Sequence, residues 1–257
     1  MTSALCAASA MSKTNKVERQ PAYIVHRRAY RETSQLVDLF TRDYGRISAV
    51  RRGARGRHGA GSAQPLQALL VSWTGRTDLK TLVAAERIDT GPMAQGERLY
   101  SALYINELLL RLLPPHAPFP ALFERYARLI PTVLMAEDIE VPLRQFELAL
   151  LAELGYAADL TRIAATGDEP APEQYYVYQS GIGLVPAGRG DIEQAVRGDR
   201  LGEIANGDFS DPETRRLAKR LMRERIAELL GGRPLLSRQL FQSRKRDPEA
   251  SASTDAG

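Results

Sequence analysis

The chain has 257 residues, 44% of them apolar and 26% charged, a composition that suits a globular protein of one large or two ordinary domains. Its net charge of +4 is unevenly spread: residues 17–90 hold thirteen basic against seven acidic side chains, while the part beyond them is net acidic by four. The lone cysteine, Cys6, excludes an internal disulfide, a four-cysteine zinc site and an iron–sulfur cluster, and no apolar run approaches the length of a membrane span.

Residues 1–16 are small and polar, too poor in large apolar groups to fold, and read as a disordered tail in which Met11 is an alternative start. Lys13 and Lys16 follow the apolar part of this tail, the wrong order for a secretory signal, so a reducing cytoplasm is the expected location. Residues 17–90 speak in β periods. Strand cores are expected at 22–25, 36–41, 47–50, 66–73 and 79–88, with turns at Asp43-Tyr44-Gly45 and Gly75-Arg76-Thr77-Asp78. Five short strands in some seventy residues suit a small closed barrel of the oligonucleotide-binding (OB) type, because closure removes the sheet edges.

The stretch from Gly45 to His58 holds five arginines and no acid. Its first half alternates, with Ile47, Ala49 and Arg51 on one side and Arg46, Ser48, Val50 and Arg52 on the other; its second half is arginine punctuated by glycine. Guanidinium forks match phosphate oxygens bidentately, so this is the expected nucleic-acid surface; a solvated loop is the bland alternative.

At Gly91-Pro92 the period changes. Leu99–Leu113 is apolar nearly all round and reads as a buried helix, and Ala121–Ile130 as a second that Pro131 ends. Pro142, in a first turn, opens a third with Leu143, Phe146, Leu150 and Leu154, stopped by Gly155. Asp211-Pro212 caps and opens a last helix that Gly231-Gly232 closes. Between 156 and 209 only Tyr175–Tyr178 looks like a strand, so this stretch is expected to be irregular, and 244–257 a second disordered tail. The expected class is α+β, with an OB barrel at 17–90 and a mainly helical domain at 91–243.

No phosphate loop, dinucleotide fingerprint, nucleophile elbow or zinc-protease motif occurs. Gly53, Gly56 and Gly59 recur every three residues, but arginine, alanine and histidine fill the gaps and no helix follows. His26, His58 and His116 have no carboxylate at ligand spacing, and Glu147 and Glu153 lie on an amphipathic helix rather than in a cleft. No catalytic residue, metal site or cofactor is therefore expected.

Several further motifs occur in one order. Glu32-Thr33-Ser34 precedes Leu36–Phe40, followed by Gly45-Arg46, Arg52-Gly53-Ala54-Arg55, and Lys80-Thr81-Leu82 with Glu86 shortly after. Then come Tyr100–Leu108, Arg144–Leu151 ending in Leu154-Gly155-Tyr156, and Gly232-Arg233-Pro234-Leu235-Leu236-Ser237-Arg238-Gln239-Leu240. Together they resemble the RecO recombination-mediator family over roughly residues 17 to 242. The resemblance implies a non-enzymatic DNA repair protein that binds single- and double-stranded DNA and anneals complementary strands. It would cooperate with RecR to load RecA onto strands coated by single-stranded-DNA-binding protein. Many family members carry a four-cysteine zinc module after the L-G-Y helix; residues 157–186 here contain no cysteine, so the zinc-free branch is implied.

The DNA-binding candidates are Arg46, Arg51, Arg52, Arg55 and Arg57, with Arg27, Arg28, Arg76 and Lys80 outside them. Among the rings Tyr23, Tyr30, Tyr44 and Trp73, Tyr44 has the best claim to stack on bases and Trp73 reads as core. The resemblance further implies that the helical part receives the acidic, apolar-ended tail of single-stranded-DNA-binding protein. Arg144 would supply the cation and Leu143 and Phe146 the apolar wall, a solvated arginine being the alternative. The rival reading of the whole chain is an RNA-binding or translation-associated OB protein.

Overall fold

The computed structural model describes residues 16–53, 64–88, 95–191 and 193–240. Tight contacts divide them into two compact units, one running to Met135 and resuming at Arg233, the other spanning Ala136–Gly232. The first of these units thus takes in the first two helices beside the strands.

In the first unit β1 (Lys16–Tyr30), β2 (Ser34–Thr41), β3 (Gly45–Arg51), β4 (Ala68–Thr74) and β5 (Leu79–Arg87) close a barrel in the order β1-β2-β3-β5-β4. All pairings are antiparallel except β3 with β5. Fifteen residues of β1 serve two neighbours: its first half pairs with β4 and its second with β2, and irregularities at Val17/Gln20 and Ile24/His26 bend it round the closure. Alternate residues fill the interior, among them Ile24, Val37, Leu39, Ile47, Ala49, Leu69, Val71 and Trp73. Trp73 is core, as its apolar run suggests, at 3% exposure.

Helices α1 (Gly96–Leu112) and α2 (Pro120–Met135) belong to this unit because aromatic side chains bind α2 to the outside of the barrel. Tyr23 of β1 and Phe40 of β2 meet Phe123 and Tyr126 with ring centroids 4.9 to 5.8 Å apart. Tyr23 is thereby buried and is no stacking platform. Pro131 does not end α2, which continues to Met135. A proline costs one internal hydrogen bond, and burial of Ile130 and Val133 on the same face offsets that cost.

The β2–β3 turn is locked against the loop after α1. Gly45 has φ of 66°, and a Cβ there would stand 1.9 Å from the carbonyl oxygen of Ala117. The Nε of Arg46 donates to the carbonyl of Leu113 at 3.0 Å, and the N–H of His116 donates to the carbonyl of Arg46 at 2.9 Å. Gly45→Ala meets both backbone strain and a backbone clash, so a stability loss of about 2 kcal/mol is expected in chemical denaturation.

The closing segment returns to α1. The carboxylate of Glu107 accepts from the N–H groups of Leu236 and Ser237 and from the Ser237 hydroxyl, at 2.9, 2.8 and 2.7 Å, at the start of a helical turn at 236–240. Arg111 donates to Glu107 and to the carbonyls of Arg233 and Pro234. Burial alone would raise the Glu107 carboxyl, but the bonds from Ser237, Leu236 and Arg111 outweigh it and hold it below its ordinary 4.5. A lowered folded value means that the clamp contributes fully above pH 4.5 and is lost as pH falls through that lowered value. Amide exchange at residues 233–240 should therefore accelerate on acidification, and Glu107→Gln should abolish the dependence on pH.

The second unit contains α3 (Glu140–Glu153), α4 (Gly198–Ala205) and α5 (Pro212–Leu229) with a sheet of order β7-β6-β8, made of Gly183–Pro186, Tyr175–Gln179 and Val196–Arg197. Asp211 caps α5 through the N–H groups of Glu213 and Thr214, with Pro212 in the first turn, as the sequence predicts. Residues 156–209 carry more order than their composition suggests. Leu160, Tyr176, Leu184, Val196, Ile204 and Phe209 are buried, and the Tyr176 hydroxyl accepts from the N–H of Ala171 at 2.9 Å. Ile163 bridges to Leu184, and the N–H of Ala164 donates to its carbonyl at 2.8 Å. Apolar packing thus holds a stretch whose strands, at five, four and two residues, are too short for a clear period.

Candidate nucleic-acid interface

The barrel sorts the candidate cations by register. Arg27 of β1 lies opposite Val37 of β2, and Arg51 of β3 lies opposite Gln35 of β2. Val37 and Ala49 point into the barrel, so alternation puts Arg27 and Arg51 on that same face at one mouth, on the two strands that flank β2. Both are half-buried. Partial burial, and then the neighbouring Arg27 charge, hold the Arg51 guanidinium below its usual range.

Arg28 and Arg52 are exposed beside this pair, Arg52 in the turn that follows β3. Arg31, which the sequence reading passed over, joins them in the β1–β2 turn, with φ of 53° and its guanidinium 5.3 Å from the Tyr30 ring. Its signal was available: an arginine between two strands whose neighbours already carried cations. Arg55 and Arg57 lie outside the described residues.

Of the other candidates, Tyr44 and Arg46 stand at the opposite end of β3, a strand of seven residues and roughly 20 Å, while Lys80 pairs with Ala49 near its middle. Parallel pairing of Ser48 with Leu79 places the β4–β5 turn there. Arg76 is exposed in that turn, but Lys80 donates to the carbonyls of Thr77 and Gly75 at 2.7 and 3.5 Å and so fastens its own hairpin. Arg46 is spent on the end of α1, where a cation meets the helix's unpaired carbonyls. Tyr44 is half-buried, edge-on to Trp73 at 5.2 Å, and supports the core more than it offers a face. The candidates therefore fall into groups, and the one at the Arg27–Arg51 mouth joins two half-buried arginines on the inward face with the exposed Arg28, Arg31 and Arg52.

On α3 the expected docking cation is not at the surface. Arg144 and Glu147 form a buried pair, Nη2 to Oε1 at 2.8 Å, with side chains 7% and 1% exposed. Leu143 and Phe146 are buried with them. Neither a solvated arginine nor a waiting cation describes it; the residue is an internal tie along one helix face, and spacing alone could not tell which face α5 would cover.

Among the described residues no three histidine, cysteine or acidic side chains gather as a metal site, and no helix is long and apolar enough to cross a membrane. A closed five-stranded barrel with arginines gathered at one mouth defines the class: an oligonucleotide-binding type of barrel joined to a helical unit. Residues 11–90 match the family description "Recombination protein O N terminal" and residues 93–239 match "Recombination protein O C terminal". The DNA repair protein RecO of Methylococcus capsulatus is 47% identical over 86% of this chain and 92% of its own. That of Nitrosococcus oceani is 44% identical over 90% and 95%, and that of Pseudomonas aeruginosa 42% over 89% and 97%. The chain belongs to the RecO family, and membership places it in DNA repair and recombination.

Proposed function

We propose that the chain is a recombination mediator that binds single- and double-stranded DNA at the Arg27–Arg51 mouth and anneals complementary strands without making or breaking a bond. The observation that supports this most is the pairing of two half-buried arginines on strands flanking β2, with Arg28, Arg31 and Arg52 around them. Cations so placed lower the repulsion between two phosphate chains, which is the barrier to annealing. RecR, single-stranded-DNA-binding protein and, through them, RecA are the partners this role calls for, and the nucleoid is where it would act. The buried Arg144–Glu147 pair takes that helix face out of the proposal, so a tail of single-stranded-DNA-binding protein would have to engage another surface.

The experiment is annealing of complementary DNA oligonucleotides, bare and coated with the cognate single-stranded-DNA-binding protein, across a salt series. Accelerated annealing that fades steeply with salt supports the proposal. Binding of RNA with no annealing of DNA would favour the translation-associated reading.

A further inference from the structure

The Arg27–Arg51 mouth has a third wall. β1 and β3 each run antiparallel to β2, and β5 runs parallel to β3, so the carboxyl ends of β1, β3 and β5 all reach the same end of the barrel. β5 ends in Arg87, well outside the basic run at 45–58. Register decides where it points. Leu82 and Ala85 face the core, Val83 is skipped in the pairing with β4, and Arg87, two residues beyond Ala85, lies opposite the core residue Leu69. Arg87 therefore continues the inward face of β5 at the rim, as Arg27 does for β1 and Arg51 for β3. It is exposed, and among the described residues it has no hydrogen-bond or ion-pair partner. Glu86, on the other face of the strand, is taken by Arg19 at 3.0 Å.

Two properties of this mouth select its ligand. The inward neighbours of the three arginines, Val37, Ala49, Leu69 and Leu82, are at most 7% exposed and belong to one packed core, so the mouth has a floor. Five strands also enclose less room than the eight whose interior side chains just fill, which keeps a nucleobase out. A phosphate in mid-strand has chain on both sides and can only lie across such a rim. A terminal phosphate can enter end-on. It presents three acceptor oxygens and a charge of about −1.5 to −2 at pH 7, and guanidinium forks match those oxygens.

We propose that Arg27, Arg51 and Arg87, one from each of three strands, seat the terminal phosphate of a DNA strand, so that the mouth recognises strand ends. This rests on the nucleic-acid reading of the same mouth. The test uses the full chain and a short thymidine oligonucleotide with a 5′-phosphate, a 3′-phosphate or hydroxyl groups at both ends, each competing with one labelled strand. A phosphorylated end should tighten binding by about tenfold, the gain expected of charge-assisted forks on a dianion, and the two phosphorylated strands show which end is taken. Arg87→Ala should erase that preference and still bind the hydroxyl-ended strand, whereas Arg76→Ala should retain it; thermal melting measured beside binding confirms that each variant is folded. Equal affinity of the wild type for all three strands, or a preference that survives Arg87→Ala, overturns the proposal and leaves DNA binding standing. No binding of any of them overturns the nucleic-acid reading with it.

Discussion

Arg27→Ala/Arg51→Ala/Arg52→Ala should bind single-stranded DNA about 100-fold more weakly than the wild type at 0.1 M salt. Each phosphate neutralised on a single strand contributes about 0.7 to the slope of log affinity against log salt, so three contacts supply about two decades at that concentration. The slope itself should fall by about 2, and the loss should be the same for unrelated sequences. Stability is the control. Thermal melting of the variant, measured beside binding, separates a lost phosphate contact from lost folding. An unchanged slope would take the mouth out of the interface. Arg76→Ala in the β4–β5 turn should leave the slope unchanged, against a fall of about 0.7 if Arg76 met a phosphate, which tests whether one mouth or the whole barrel meets the strand.

Arg144→Ala is expected to cost about 3–5 kcal/mol in denaturant unfolding, because it leaves a carboxylate at 1% exposure without its cation. Arg144→Leu/Glu147→Leu should recover most of that loss, since replacing a buried pair by apolar groups of similar size is close to neutral. The comparison separates two explanations of any lost partner binding. If the single variant fails to bind the tail of single-stranded-DNA-binding protein and the double variant binds it, the defect was structural. Failure of a well-folded double variant would instead return Arg144 to a docking role.

Much of the barrel was legible in the chain because its signals are local. Alternation at Ile47, Ala49 and Arg51 survives as an inward row, and the turn at Gly45 is where a positive φ was needed. Asp211-Pro212 opened a helix for the same reason: capping involves groups two or three residues apart. The candidate site was legible only as composition. Lys80, Arg46, Arg51 and Arg52 look alike in a string, yet the first two are bound to backbone carbonyls, and Arg51 and Arg52 stand at the end of β3 away from Arg46.

What the amino-acid sequence determined by itself was the five barrel strands, the opening of the last helix at Asp211-Pro212, and a surplus of cations concentrated in residues 17–90. Only the tertiary structure decided which of those cations share a mouth, that Tyr23 faces α2, that Arg144 is buried, and that α1 and α2 join the barrel. The reason is one of range. Periodicity and capping are settled among residues within a turn or two, whereas register and burial depend on partners tens of residues away, such as Glu107 and Ser237, that no local pattern brings together.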